Sequence, residues 1–381
     1  MIKYSPVKGE VMRNPFVTNG YAGEEYFCDR EKETKSLVSL LTNGNNVALI
    51  SQRRYGKTDL IRHCFAQPAI GNRYYTFVVD VYATDSLSDF VNCLGRTILD
   101  ALKPRGRKVW EGFLNLVKSV RAGITYDASG TPSWTMGLGD LSNPSVTLEE
   151  IFKYLQSADK PCLVAIDEFQ QILKYSDGNV EALLRTHTQY CSNANFVFAG
   201  SRRTMMGAIF TSPSRPFYQS VSVVNLDRIP CAAYQSFCRR HFSAAGKELE
   251  DGLVSALYER MDGITFYMQK VMNILYMRTK RGVVTLAMLD DAIAFAVEFA
   301  AATYEDLLYQ LPERQKKVLQ AIAHEGKCMN VLSGDFAAKY RLPSVSSVNS
   351  AIKGLQERNL LMVDRDTYSV CDKFLAAWLT R

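Results

Sequence analysis

The chain has 381 residues, 47% of them apolar and 22% charged, with 45 Lys and Arg set against 39 Asp and Glu for a formal net charge of +6. That much apolar side chain can build a large core, so disorder is excluded as the default state, and the length predicts two or three domains. The charge excess is mild: it permits contact with a polyanion and demands none.

Residues 1–30 are rich in turn formers and aromatics, with Asn14-Pro15-Phe16 and Phe27-Cys28-Asp29-Arg30 prominent. A charged entry and Leu37, Leu40 and Leu41 at helical spacing predict a helix over 31–41, stopped by Asn43-Gly44-Asn45-Asn46. Short apolar runs of buried-strand type follow at 47–50, 74–81, 162–166, 195–199 and 221–226. Helical patterns at 59–67, 87–102, 147–156 and 180–191 fill most of the gaps. Buried strands alternating with helices predict an α/β fold with a parallel sheet covered on both faces. The irregular stretch 103–144 reads as an insertion or hairpin arm. After Pro230 the strands cease, and helices over 233–244, 246–261, 265–279 and 286–303 predict an all-α subdomain. Three further helices, 312–324, 333–340 and 344–358, precede strands 360–363 and 368–370 joined by the turn 364–366. Val345, Val348, Ile352 and Leu355 share one face of the third helix, and the order is that of a winged helix-turn-helix. The domains are therefore expected at 1–228, 229–304 and 305–381.

Nine cysteines, an odd number without a C-x-x-C pair, read as free thiols suited to a reducing cytosol. Lys3, Lys8, Glu10 and Arg13 interrupt the start where a secretory segment would lie. No apolar run reaches the roughly 20 residues that span a bilayer. The expectation is a soluble, cytoplasmic protein with no membrane partner.

Ser51, Gln52, Arg53, Arg54, Tyr55, Gly56, Lys57 and Thr58 follow a strand and open a helix, the context that a Walker A loop requires. Backbone N–H groups in such a loop, backed by the helix N-terminus, favour a phosphate. Gly56 lets the backbone approach closely, Lys57 would reach the β- and γ-phosphates, and the Thr58 hydroxyl would ligate Mg²⁺. Asp59, next in the helix, completes the candidate cofactor-binding set. The bland alternative is a basic surface turn. Four apolar residues, 163–166, then end in Asp167 and Glu168. A buried parallel strand delivers such residues to the crevice where α/β folds bind ligands. Asp167 would hold Mg²⁺ opposite Thr58, and Glu168 would orient or deprotonate water. Alternatively, both acids cap the helix 169–174. A further strand end, Ser201-Arg202-Arg203, offers a γ-phosphate contact through Ser201 or Arg202, or else arginines that face solvent.

Together these residues resemble the archaeal-type, STAND-branch AAA+-like P-loop ATPases. The matching segments are Asn14-Pro15-Phe16, 27–33 (F-C-D-R-E-x-E), 51–60 (S-x-R-R-x-G-K-T-x-L), 166–170 (I-D-E-F-Q), Gly200-Ser201, 226–230 and 263–269. Phe374 and Trp378 finish a similar winged helix. The resemblance implies a P-loop NTPase core with a helical lid subdomain and a C-terminal winged helix. It also implies ATP and Mg²⁺ as ligands, with Lys57 and Thr58 on phosphate and metal and Asp167 and Glu168 as the acidic pair. Arg202 would act as a sensor with Lys57 and Glu168 in catalysis, and Asn14, Pro15 and Phe16 would lie beside the adenine. Ser51 stands where a glycine is usual, and Ile264-Thr265 where relatives often carry His-Pro.

No guanine-reading N-K-x-D occurs, which leaves ATP as the expected nucleotide. From 304 to 381, eleven Lys and Arg face nine Asp and Glu, so the winged helix is barely basic. A DNA or a protein partner is expected there, and self-association driven by nucleotide is a further expectation of the resemblance. The expected function is an ATP-hydrolysing switch, with a DNA-binding regulator or a scaffold that uses nucleotide only as a ligand as the alternative.

Overall fold

A computed structural model describes residues 14–102, 124–126, 132–134, 143–364 and 366–381. The chain divides into two compact units, one of residues 19–229, the other of 230–381 together with the segment up to Thr18.

The first unit is built on five strands: β1 (Val47–Ser51), β2 (Tyr75–Asp80), β5 (Cys162–Asp167), β6 (Ala194–Gly200) and β7 (Ser222–Leu226). A separate antiparallel pair, β3 (Ile124–Tyr126) and β4 (Pro132–Trp134), sets Ile124 opposite Trp134. It lies inside the 103–144 stretch, the rest of whose interior falls outside the described residues. The five strands are ordered β2-β5-β6-β1-β7, and all neighbours run parallel. Helices Lys57–Phe65, Leu87–Leu102, Pro144–Gln156 and Val180–Tyr190 make the crossovers that parallel pairing demands. Every residue of β1 and β5 is buried, which is why each reads as an unbroken apolar run rather than an alternating one.

Register brings the strand ends together. Ile50 pairs with Gly200 and Asp80 with Asp167, so β1, β6, β5 and β2 finish along one edge of the sheet. Beneath that edge, Phe169 packs on Phe198 with ring centroids 4.6 Å apart and edge-on to Phe217 at 5.6 Å. These rings anchor the turn that leaves β5. The segment after it is a 3₁₀ helix, Phe169–Lys174, and the helix predicted over 59–67 begins two residues earlier, at Lys57.

In the second unit the helices are Cys231–Ala244, Leu253–Arg260, Thr265–Arg278, Leu286–Phe299 and Ala301–Tyr309. The expectation that strands cease after Pro230 is corrected: β8 (Lys247–Leu249) pairs in parallel with β9 (Gly282–Val284). Gly246, at φ 67°, ends the preceding helix, and buried Lys247 and Val284 give these three-residue strands a packed side. They are too short to show a period-two pattern. The predicted helix 286–303 is likewise two helices, parted at Ala300.

The last part of this unit comprises helices Glu313–Glu325, Gly334–Lys339 and Val345–Glu357, then β10 (Leu361–Asp364) and β11 (Thr367–Val370) in antiparallel register. Val348, Ile352 and Leu355 are buried on one face of the third helix, whereas Val345, at its first turn, is 38% exposed. Arg365 of the 364–366 turn lies outside the described residues. A closing helix, Lys373–Leu379, is capped by the Asp372 carboxylate, which accepts from the amides of Phe374 and Leu375. Among the described residues no helix is long and apolar enough to cross a membrane.

Candidate functional site

The loop after β1 owes its shape to two left-handed residues, Arg54 at φ 72° and Gly56 at φ 85°. Glycine carries no Cβ penalty there, while arginine does. Ser51, in place of the usual glycine, is the fully buried last residue of β1, and its Oγ donates to the Gln52 carbonyl at 2.9 Å. It closes the strand and does not need a positive φ. Tyr55 is buried, and its carbonyl accepts from Arg30 Nη2 at 3.4 Å while its hydroxyl accepts from Arg228 Nε at 3.2 Å. Two arginines from distant segments thus pin the middle of the loop. Helix Lys57–Phe65 begins immediately after Gly56, so its first amides, with no intrahelical partner, open beside the loop.

Lys57 is only 7% exposed, and its Nζ lies 3.9 Å from Asp167 Oδ1 and 3.7 Å from Glu168 Oε1. The Thr58 hydroxyl donates to Asp167 Oδ2. Ser51 to Thr58 and Asp167 with Glu168 therefore meet at one edge of the sheet, as their strand ends require. Glu168 itself is left-handed, at φ 56°, a costly backbone for a side chain with a Cβ. Its Oε2 accepts from Ser201 Oγ at 2.7 Å and from Gln170 Nε2 at 2.5 Å. The Gln170 contact was not among the sequence-level candidates, although the residue ends the I-D-E-F-Q segment. Its reach depends on the left-handed turn, which no local pattern announces. Gly200, at the end of β6, leaves room for it: a Cβ there would collide with Gln170 Oε1 and Met206 Sδ.

Arg202, half-buried, directs Nη1 to the sulfur of Met205 at 3.6 Å, and Ser201 is the β6-end residue bonded to Glu168. Arg53 acts on Glu168 through its charge. Asn14, Pro15 and Phe16 belong to the second unit. Asn14 Nδ2 donates to the Asn273 carbonyl at 2.9 Å, and Asn273 Nδ2 donates back to the Phe16 carbonyl at 2.7 Å. The Phe16 ring, 1% exposed, packs among Phe237, His241, Phe242 and Tyr276. The ring and both backbone polar groups of Phe16 are thereby engaged within that unit, since its amide also donates to Asn14 Oδ1.

Burial pushes the Asp167 carboxyl above its ordinary value, outweighing the Lys57 charge and the Thr58 hydroxyl. For Glu168 burial acts in the same direction, but Lys57, Ser201, Gln170 and Arg53 together hold it below the usual carboxylate range. Asp59 is also raised, by burial first and by the Asp167 charge as well, against the lowering effect of Arg62. The site thus holds the carboxyls of Asp167 and Glu168 against one buried ammonium, with Asp59 near enough to Asp167 to act on it through its charge. Such an arrangement suits a divalent cation, which would offset the surplus negative charge. Among the described residues no group of three or more His, Cys, Asp or Glu could hold a metal alone. A magnesium ion would draw on Thr58 and Asp167 and on oxygens of a ligand, which fits the six-oxygen preference of that metal. Loop amides, Lys57 and the helix N-terminus could hold the ligand's phosphates.

A family model described as a probable winged helix domain matches residues 302–381. No curated protein matches the chain significantly. Among solved structures, the chain is similar to the Walker-type ATPase PABY2304 of Pyrococcus abyssi, at 18% identity and a TM-score of 0.64, over 96% of this chain and all of that one. It is also similar to the Aeropyrum pernix ORC2 protein in its ADP form, at 13% identity and a TM-score of 0.54, over 97% and 99% of the two chains. The Aeropyrum pernix ORC1 protein in complex with DNA matches at 15% identity and a TM-score of 0.52, over 93% of each. With its five parallel strands, the residue 47–65 strand–loop–helix and the matched C-terminal segment, the chain shares the fold of these solved structures, a parallel α/β core with a helical second part, and carries a C-terminal winged helix domain.

Proposed function

We propose that the protein binds and hydrolyses ATP, and that Mg-ATP occupancy of the 51–58 loop switches the state of the winged helix. The observation that carries this reading is the meeting of Lys57 and Thr58 with Asp167 and Glu168 at one sheet edge. Lys57 would leave the carboxylates for the β- and γ-phosphates, and Thr58 and Asp167 would hold the magnesium ion. The metal, when bound, supplies positive charge that offsets what builds on the phosphate oxygens. Glu168, anionic near neutral pH by virtue of its partners, takes a proton from the attacking water. The water oxygen bonds to the γ-phosphorus as the bond to the bridging oxygen breaks, and that electron pair leaves on ADP. Ser201 and Arg202 stand at the end of β6 as candidates to sense the transferred group.

A second reading, a DNA-binding regulator with nucleotide as a ligand only, draws on helix Val345–Glu357, whose outer side carries exposed Ser346 and Lys353 with Arg358 just beyond. The likeness to an ORC1 solved with DNA points the same way. Steady-state ATP turnover, measured with and without duplex DNA, tests both. The first reading expects turnover, with Lys57→Ala abolishing ATP binding and Glu168→Gln sparing binding while stopping turnover. Turnover unchanged in both variants refutes it. Salt-dependent DNA binding by a protein without turnover favours the second.

A further inference from the structure

Glu168 presents two unlike oxygens. Its Oε2 accepts both from Ser201 Oγ and from Gln170 Nε2, whereas its Oε1 faces Lys57 Nζ at 3.7 Å. Gln170 is 5% exposed, and its own Oε1 is buried without a hydrogen-bond partner among the described residues. Flipping the amide would set that oxygen against the carboxylate, so Glu168 dictates the orientation. A glutamine kept for packing alone would bond at both ends, because an unsatisfied buried acceptor is unfavourable. The neighbouring chain yields to it as well, since a side chain at Gly200 would collide with the unpartnered oxygen.

We propose that Gln170 is a positioning residue for turnover: with Ser201 it occupies one oxygen of Glu168 and leaves Oε1 as the atom that accepts the water proton. The proposal rests on the reading of Glu168 as the base. Without phosphate, Lys57 holds Oε1 in an ion pair. Once phosphates draw the ammonium away, Oε1 is exposed in an orientation already fixed by its sister oxygen. Preorganisation of this kind raises turnover and leaves binding unchanged.

The test uses the full chain and the variants Gln170→Leu, Gly200→Ala and Ser201→Ala, with Glu168→Gln as reference. Three readouts are followed: kcat, affinity for a fluorescent ATP analogue, and the melting temperature without nucleotide. Gln170→Leu removes a bond to a charged group, so kcat is expected to fall about tenfold or more, with affinity within about twofold of the parent. Its melting temperature stays equal or rises, because the unpaired acceptor disappears. Gly200→Ala, which displaces the amide, lowers kcat in the same manner. The Gln170→Leu/Ser201→Ala double variant loses less than the product of the two single losses, both bonds being to one oxygen. A Gln170→Leu protein with parental kcat, in a background where Glu168→Gln is inactive, overturns the proposal alone. So does a parallel loss of affinity or of stability. A parent without turnover, or turnover indifferent to Glu168→Gln, overturns the underlying reading and this proposal with it.

Discussion

Asp167 and Glu168 are adjacent, yet their carboxyls are driven in opposite directions by what touches them. Burial wins at Asp167; at Glu168 it is overcome by Lys57, Ser201, Gln170 and Arg53. A carboxyl raised on folding costs stability as pH rises from its unfolded value through its folded one. For Asp167 that range begins near the ordinary value of 3.8, so at neutral pH its charge opposes the nucleotide-free fold. Asp167→Asn is therefore expected to be no less stable than the parent at pH 7, to within about 1 kcal/mol, and the difference should shrink toward pH 3.8. The same variant should lose the rise in melting temperature that Mg-ATP gives the parent, about 2.7 kcal/mol of stabilisation at a hundredfold excess over Kd. Thermal denaturation with and without Mg-ATP checks both. Taken alone, two carboxylates after four apolar residues also suit a cap on the 169–174 helix; with the 51–58 loop upstream, the acidic pair was legible in the sequence. Gln170 was not, since its bond to Glu168 depends on a left-handed turn and on the bare Gly200 of another strand.

At the scale of elements, the loop between β1 and its helix separates two positions that a motif search treats alike. Gly56 sits at φ 85°, where any Cβ is strained, but Ser51 continues a strand. Gly56→Ala should weaken ATP binding about tenfold, corresponding to about 1.4 kcal/mol of strain. Ser51→Gly should leave affinity within about threefold. Isothermal titration of the two variants distinguishes them, and equal losses would mean that the loop reshapes on binding. Of the five core strands, β1, β5 and β6 could be read from sequence because burial on both faces makes each a near-continuous apolar run. The outer strands β2 and β7 are only partly buried and could be read through their valines and the aromatics of β2. β8 and β9 could not, since three residues carry no period and Lys247 is buried by placing its ammonium on the Tyr276 carbonyl at 2.7 Å.

At the scale of a whole compact unit, segments remote in sequence are joined by specific polar contacts. Asp262, in the turn before helix Thr265–Arg278, pairs with Lys327 at 2.6 Å and with Lys373, so the helices after Pro230 and the winged helix share one ionic junction. Burial tends to raise this carboxyl, and the two lysines hold it lower. Its contribution is present above the ordinary 3.8 and is lost as pH falls through the lowered value. Asp262→Asn should cost about 2 kcal/mol at neutral pH, seen as a lower denaturant midpoint, and less on acidification. The ion pairs of Asp262 with Lys327 and Lys373 cross the boundary expected near 304, and such cross-links have no local signature in the sequence. The account as a whole depends on Thr58 and Asp167, 109 residues apart, serving one metal and one triphosphate. A crystal structure with Mg²⁺ and a non-hydrolysable ATP analogue tests this most directly. It should place Lys57 Nζ against the β- and γ-phosphates and the ion between Thr58 and Asp167. A nucleotide seated elsewhere, with Lys57 still on the two carboxylates, would contradict it.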